Sequence, residues 1–481
     1  MLADARDQQV LQEIATRVQQ GDLGNARVVC EKFLALVPDA ARQASVRIWL
    51  GMIERRSANL PAALTQFELV RQSDRRNPQL LLQLGLTHFE LGQWERAEPL
   101  YREAMRLEPR LPLAHYNLGV LLQHKREFPA ARRAFEAALV HQPRFPEALN
   151  NLGNVLIECQ DLPGAEQCYR QALALHAGFS YAHHGLGLLM MRQMRHAEAL
   201  PSLHAAVRHD PAFLDGWLDL AECQAQAGDV DAAKTSVAAV LARDPQHPVA
   251  RFRRAMYAGE QPPESTPPEL VERLYAGMAA TFDEHLLKHL GYRTPTLLAE
   301  TVKPWLAKFE TARARKPFVV DLGCGTGLFG MQIRSVCERL VGVDLSGAML
   351  ETARSRGVYD ELVTSDVVAY LNANQDAIDL IAASDVLIYV GNLLPLFAAV
   401  AARLTEGGAF VFSTETPDEL AEGLCLQSNG RNAHSVRYIE QQAAENGLRV
   451  IGSESTVIRT ENAAAVKGFL FVIEKPDLKI A

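Results

Sequence analysis

Asp321–Gly327 reads Asp-Leu-Gly-Cys-Gly-Thr-Gly, and this stretch decides the fold of the part of the chain around it. An apolar run (Phe318, Val319, Val320) leads in, and a helix-compatible stretch (Leu328, Phe329, Met331, Ile333) leads out. A strand, a glycine turn and a helix start, in that order, let main chain approach a bound nucleoside. Glycine is required because a Cβ would block both a positive-φ turn and the ligand. The alternative is a glycine-rich strand-to-helix turn that binds nothing.

Apolar runs alternate with helical patterns around this loop: Phe318–Leu322, Leu340–Val343, Leu362–Thr364, Leu380–Ala383 and Ala409–Ser413. Two late runs follow at Arg449–Ser453 and Gly468–Ile473. The alternation predicts a doubly wound α/β domain, and the closing pair predicts a terminal hairpin. Open α/β sheets bind ligands at the carboxyl ends of their strands, and those ends carry acids here. Asp321 closes the first run, Asp344 lies 19 residues beyond Gly325, Asp366 ends the third and Asp385 follows the fourth. Asp344 suits the two hydroxyls of a ribose, and Asp366 the exocyclic amine of adenine. Each acid alone reads equally well as a helix cap, whereas four in register are harder to dismiss.

Upstream the grammar changes. Leu-Gly pairs stand at 50–51, 84–85, 118–119, 152–153 and 186–187, each 34 residues after the last, and Leu220-Ala221 continues the series. An alanine follows each small residue by twelve positions (Ala63, Ala97, Ala131, Ala165, Ala199, Ala233). A bulky residue comes four later (Phe67, Tyr101, Phe135, Tyr169, Leu203, Val237). Small residues at fixed places let two helices cross closely, and a 34-residue hairpin must stack on its neighbours to bury its apolar face. This half resembles the tetratricopeptide repeat family in six copies, behind a degenerate leading copy (Ala26, Cys30, Phe33, Pro38) that caps it. After a capping helix, Gly259–Pro268 (GEQPPESTPP) holds four prolines in ten residues and reads as a semi-rigid, unfolded connector. The expected organisation is a repeat solenoid over 1–247, a capping helix and linker over 248–268, and an α/β domain over 269–481.

Composition narrows the function classes. With 481 residues, 48% of them hydrophobic, the chain can fill more than one core. A net charge of −8, spread along the chain, leaves no basic face for nucleic acid. The seven cysteines include no CxxC pair, which fits reduced thiols. The start, MLADARDQQV, has neither the basic nor the apolar region of a signal peptide, and the most apolar stretch, Ile378–Leu404, is broken by Asp379, Asp385 and Asn392. These features predict a cytoplasmic protein without a membrane span. After the glycine loop no His, Asp and Glu cluster has metal-ligand spacing, so no metal is expected.

The dinucleotide fingerprint wants a third glycine where this chain has Leu328, which disfavours a nicotinamide enzyme. An acid beside the loop repels a pyrophosphate but suits a cationic amino-acid moiety. The spacing therefore resembles the class I S-adenosylmethionine-dependent methyltransferases, with a Rossmann-like, seven-stranded, mostly parallel sheet. Together with Phe282–Pro295, DVLIYVGNL (Asp385–Leu393) and Gly430–Val450, it looks like the bacterial group of predicted methyltransferases that carry tetratricopeptide repeats. The opening aromatic-acid pattern of that group is altered here to YAGMAATFD (Tyr275–Asp283).

The resemblance implies S-adenosylmethionine as cofactor, with Asp321, Gly323, Cys324, Gly325 and Gly327 around its methionine end, Asp344 on the ribose and Asp366 on the adenine. Leu345 and Val367 would sandwich the ring, or be ordinary core. The lone Cys324 reads as a small turn residue rather than a thiolate nucleophile.

On the acceptor side, Asp385 and Tyr389 follow the fourth run, and Arg431, His434 and Tyr438 cluster later. His434 reads as a general base or as a packing residue at a helix start, Asp385 as an acceptor-side group or a cap, and Arg431 as an anchor for an acceptor's carboxylate or phosphate. First helices of repeats line a concave face, so Tyr116, Asn117, Asn150, Asn151, Asn154, His183 and His184 form a polar stripe. The stripe can bind an extended peptide or can satisfy neighbouring helices. Two whole-protein readings result: a methyltransferase whose repeats recruit a protein, peptide, carrier-bound or small-molecule acceptor, and a non-catalytic scaffold.

Overall fold

The computed structural model describes residues 2–260, 263–276, 283, 292–416, 422–427, 429–461 and 464–477. The chain divides into two compact units, Met1–Gly228 and Asp229–Ala481.

The first unit is a stack of helical hairpins. Pro112–His124 pairs with Phe128–His141, and Pro146–Glu158 with Leu162–Leu175, the register repeating through Leu214–Gln226. Prolines open Pro112–His124 and Pro146–Glu158, where the missing N–H costs nothing. The Leu-Gly signature has a direct steric cause: a Cβ built on Gly153 would stand 2.7 Å from the Tyr169 ring, and one on Gly119 the same distance from Phe135. One core runs from Ala63 to Cys223, while Ile14, Ala26, Cys30, Phe33 and Ile53 form a separate cluster at the start. The degenerate leading copy thus buries its apolar face together with the first helix of the next repeat.

The second unit is built on a seven-stranded sheet. We number the strands β1 (Phe318–Leu322), β2 (Arg339–Asp344), β3 (Glu361–Thr364), β4 (Ile378–Ala383), β5 (Leu404–Glu415), β6 (Leu424–Leu426), β7 (Asn432–His434), β8 (Arg449–Glu461) and β9 (Ala464–Glu474). The order is β3-β2-β1-β4-β5-β9-β8, while β6 and β7 pair separately. Strands β1 to β5 are parallel, and β9 lies antiparallel to both β5 and β8, as the two late runs predict. Both faces of the sheet are covered: Val320, Ile381, Phe397 and Phe412 pack in one cluster, Trp305, Phe329, Leu340 and Val411 in another. Strand order reverses between β1 and β4, so their carboxyl ends open a crevice there.

The proline-rich connector differs from its sequence reading. Ser265 bridges to Val390, Thr266 N–H donates to the Tyr389 carbonyl (2.8 Å), and the Glu264 carbonyl accepts from Gly391 (2.9 Å) and Asn392 (3.0 Å). Extended prolines leave the intervening backbone groups free for a strand-like pairing that proline content alone does not suggest.

Candidate active site

A cavity of about 500 Å³ opens at the carboxyl ends of β1, β2 and β4. Its donor end is the glycine loop, where Gly323, Gly325 and Gly327 all have positive φ (62°, 54° and 93°). A Cβ on Gly325 would meet nothing within 4 Å, so glycine here keeps cavity space open as well as relieving strain. The loop is stitched to β2: Cys324 N–H donates to the Val343 carbonyl (3.0 Å) and Gly325 N–H to Asp344 Oδ2 (2.8 Å). Asp344 Oδ1 also accepts from Ser346 N–H (2.8 Å). Asp321 is 1% exposed and takes one hydrogen bond, from the Tyr359 hydroxyl (2.6 Å). Burial pushes its carboxyl up to about 7, against the Tyr359 hydrogen bond and with help from the Asp344 charge. Burial raises Asp344 too.

The acceptor end lies beyond β4. Asp385 holds φ = 55°, a left-handed conformation unusual for a non-glycine residue, and its carboxylate accepts from the Ser413 hydroxyl (2.7 Å). Arg459, 4% exposed, sits 3.5 Å from Asp385 Oδ2 and pairs directly with Glu415, and Arg431 Nη1 approaches Glu415 at 3.6 Å. Two acids and two arginines thus balance each other in a water-poor wall. Three phenols share this end. The Tyr389 and Tyr275 hydroxyls are 2.5 Å apart, and Tyr292 bonds Ser384 (3.1 Å). Burial raises all three phenols, so they stay protonated at neutral pH.

The structure brings most of the sequence candidates together. Asp321, Gly323, Cys324, Gly325, Asp344, Leu345, Asp366, Val367, Asp385, Tyr389 and Arg431 line the one cavity, and Gly327 closes the loop behind it. Val367 also belongs to the core. Asp366 caps the helix Val367–Ala373, its Oδ1 accepting from Val368 and Ala369 (both 2.9 Å), while its second oxygen takes no side-chain partner among the described residues. Burial holds the Cys324 thiol well above the usual range, consistent with a turn residue.

His434 is different. It is fully buried in β7, outside the cavity lining, and burial drives its imidazole down to about 4. Its Nε2 donates to the Gly391 carbonyl (3.0 Å), and its ring stacks on Tyr438. A base reading fails because the ring faces protein, not substrate; the packing reading holds, with Ser435 capping the next helix. Asp385 caps nothing, since its carboxylate is turned to Ser413 and Arg459.

Tyr359, Ser413, Arg459 and the connector residues Ser265 and Thr266 carry no motif and were not legible as site residues. Asp283, at the end of the opening pattern, accepts from the Thr326 hydroxyl (2.6 Å) and pairs with Arg356. Positions 277–282 of that pattern, and 284–291 of the stretch Phe282–Pro295, lie outside the described residues.

Polar residues of the repeat stripe are largely paired within the repeats. Asn151 donates to the Tyr116 hydroxyl (3.1 Å) and Asn150 to Asn151 (3.2 Å), Tyr169 donates to Asn154 (2.6 Å), and His184 Nε2 bonds Asp219 (2.7 Å). His183 Nε2 bonds the Ala177 carbonyl (2.9 Å).

Residues 320–412 match the family described as a methyltransferase domain. Residues 85–125, 122–178 and 190–256 match families described as TPR or tetratricopeptide repeats. The chain joins tetratricopeptide repeats to a methyltransferase domain. A trans-aconitate 2-methyltransferase of Paracidovorax citrulli is 37% identical over 144 residues, 30% of this chain and 50% of that protein. A malonyl-acyl-carrier-protein O-methyltransferase of a Paenibacillus species is 25% identical over 195 residues, 36% of this chain and 70% of its own. The chain thus spans half the length of the first relative. A tetratricopeptide repeat protein of Parabacteroides merdae superposes with a TM-score of 0.42 at 15% identity, over 52% of this chain and 98% of its own.

The methyl donor of such a domain is S-adenosylmethionine, and the residues present fit it. The carboxylates of buried Asp321 and half-buried Asp344 lack a cationic partner among the described residues, and an ammonium beside Asp321 would offset the cost of its burial. Among the described residues no helix is long and apolar enough to cross a membrane, and no group of His, Cys, Asp and Glu is placed to hold a metal ion.

Proposed function

We propose that this protein transfers a methyl group from S-adenosylmethionine to a carboxylate on its acceptor. The observation that carries the reading is the pair of arginines, Arg431 and Arg459, on the acceptor wall of a cavity whose other end fits the donor. Guanidinium groups suit planar carboxylates. Among the described residues no available general base stands nearby: His434 is buried and neutral, the phenols are protonated, and Asp385 is tied to Ser413 and Arg459. An acceptor that arrives already ionised needs none. Both methyltransferases named above bear names of carboxylate substrates, which supports the same chemistry here.

S-adenosylmethionine supplies an electrophilic methyl group, whose bond to sulfur breaks as the acceptor oxygen bonds to it. The chain's task is positioning and exclusion of water. Asp321 and Asp344 hold the donor, the arginines orient the acceptor oxygen, and Tyr275, Tyr292 and Tyr389 narrow the passage between them. Esterification cancels the acceptor's charge and weakens its hold on the arginines, which favours release. The repeats are the arm that binds a protein partner or a carrier-bound acceptor, through the stripe that includes Asn117 and Asn154.

Labelled S-adenosylmethionine incubated with host lysate tests this. A methyl ester releases its label as methanol in mild alkali; label that withstands alkali would sink the carboxylate reading. Calorimetry with S-adenosylmethionine and NADH tests the donor site separately, and no heat with the former would sink it.

A further inference from the structure

We infer that the connector residues 263–268 are part of the acceptor site, and that the Thr266 hydroxyl binds the acceptor's carboxylate. The inference rests on the methyl-transfer reading above. Ser265, Thr266 and Pro268 line the same cavity as Tyr389 and Arg431. Three main-chain hydrogen bonds from Glu264 and Thr266 hold this strap against the loop Tyr389–Asn392. The fit is close: a Cβ on Gly391 would collide with the Pro263 carbonyl. From the opposite side, Asn432 Nδ2 donates to the Ile388 carbonyl (3.2 Å) and His434 holds the Gly391 carbonyl (3.0 Å). The loop bearing Tyr389 is therefore clamped between connector and β7.

Thr266 is 8% exposed, and its hydroxyl has no hydrogen-bond partner among the described residues. A shielded, unpaired hydroxyl is costly and rare in folded proteins. Its backbone N–H is already spent on Tyr389, so the hydroxyl is the group left to meet a ligand. Thr266 and Arg431 both line the cavity, and a carboxylate with two oxygens can use both a guanidinium and a hydroxyl donor.

The test uses the full chain saturated with S-adenosylhomocysteine and titrated with three probe acids: trans-aconitate, succinate and a malonyl thioester. Thr266→Val keeps shape and removes the hydroxyl; Thr266→Ser keeps it. We expect Thr266→Val to weaken the best-bound probe roughly ten-fold, the loss of a hydrogen bond to a charged group. Thr266→Ser should stay within about three-fold, and both should bind S-adenosylhomocysteine like the parent. Gly391→Ala, which pushes the strap away, should weaken the probe likewise. Equal probe binding by parent and Thr266→Val would overturn the inference, and so would equal losses in Val and Ser. So would a parent that binds S-adenosylhomocysteine but none of the acids. Failure to bind S-adenosylhomocysteine would instead strike the donor site itself.

Discussion

The concave stripe of the repeats and the acids of the catalytic cavity look alike in sequence, since both are polar residues recurring in register. Their environments are opposite. In the stripe, Asn151 finds Tyr116, Asn154 finds Tyr169 and His184 finds Asp219, leaving the Asn150 side-chain oxygen buried without a partner among the described residues. In the cavity, Asp321 has among the described residues a single side-chain donor and no cation, and burial lifts its carboxyl to about 7. A polar residue paired by its own fold mainly stabilises; a buried charge left short of partners stores a cost that a ligand can relieve.

The largest effect expected from that contrast is at the glycine loop. Gly325→Val would put a branched side chain at φ = 54° and into open cavity space. Left-handed strain on a β-branched residue costs about 1–3 kcal/mol, and occlusion adds to it. Affinity for S-adenosylmethionine should fall by at least about 100-fold, while the repeats melt unchanged; calorimetry beside a thermal scan reads both. Retained binding would break the comparison outright.

Asp321 gives the next largest effect, and it has a sign. The carboxylate must be ionised to pair with a cation, so protonation competes with the donor below about pH 7. Affinity should be level above that and fall by up to about ten-fold per pH unit beneath it. Asp321→Asn should weaken binding by about 10–100-fold, as loss of a charge-assisted contact does, and flatten the slope. The free protein should show the reverse trend from this group. Its folded value lies above the unfolded one near 4, so stability falls as pH rises from about 4 towards 7. A pH series of donor titrations and of urea melts separates the two.

The sheet was legible because buried strands read as apolar runs: Phe318–Leu322 matches its strand residue for residue and the next three runs fall one or two residues short, whereas β5, β8 and β9 extend well beyond Ala409–Ser413, Arg449–Ser453 and Gly468–Ile473. The repeats were legible because Gly153 must admit Tyr169, a constraint that recurs every 34 residues. The donor end was legible because a tight turn writes its glycines next to one another. The acceptor end was not. Arg459 reaches Asp385 and Glu415 from the late hairpin, 74 and 44 positions away, and no local pattern marks such a meeting. His434 had the right chemistry for a base, but which way its ring points depends on packing against Gly391 and Tyr438. The connector misled for a related reason: proline content reports lost donors, not whether the remaining carbonyls find a strand to pair with.

The smallest effects bear on the stripe itself, and they sharpen the comparison most finely. Asn154 accepts from Tyr169, whose ring is fully buried between the helices of its own repeat. Asn154→Ala strands that hydroxyl and should cost about 1–2 kcal/mol in chemical denaturation of the repeat unit. Asn117, half-buried two turns from the end of the helix Pro112–His124, makes no side-chain hydrogen bond among the described residues. Asn117→Ala should therefore stay within about 0.5 kcal/mol. If Asn154→Ala proved as neutral as Asn117→Ala, the pairing seen in the stripe would contribute nothing, and its amides would be as open to a partner as the cavity's acids are to the donor. If the difference holds, Asn117 is the stripe residue whose loss should weaken a bound peptide without touching the fold, because its amide alone has both its donor and its acceptor unspent.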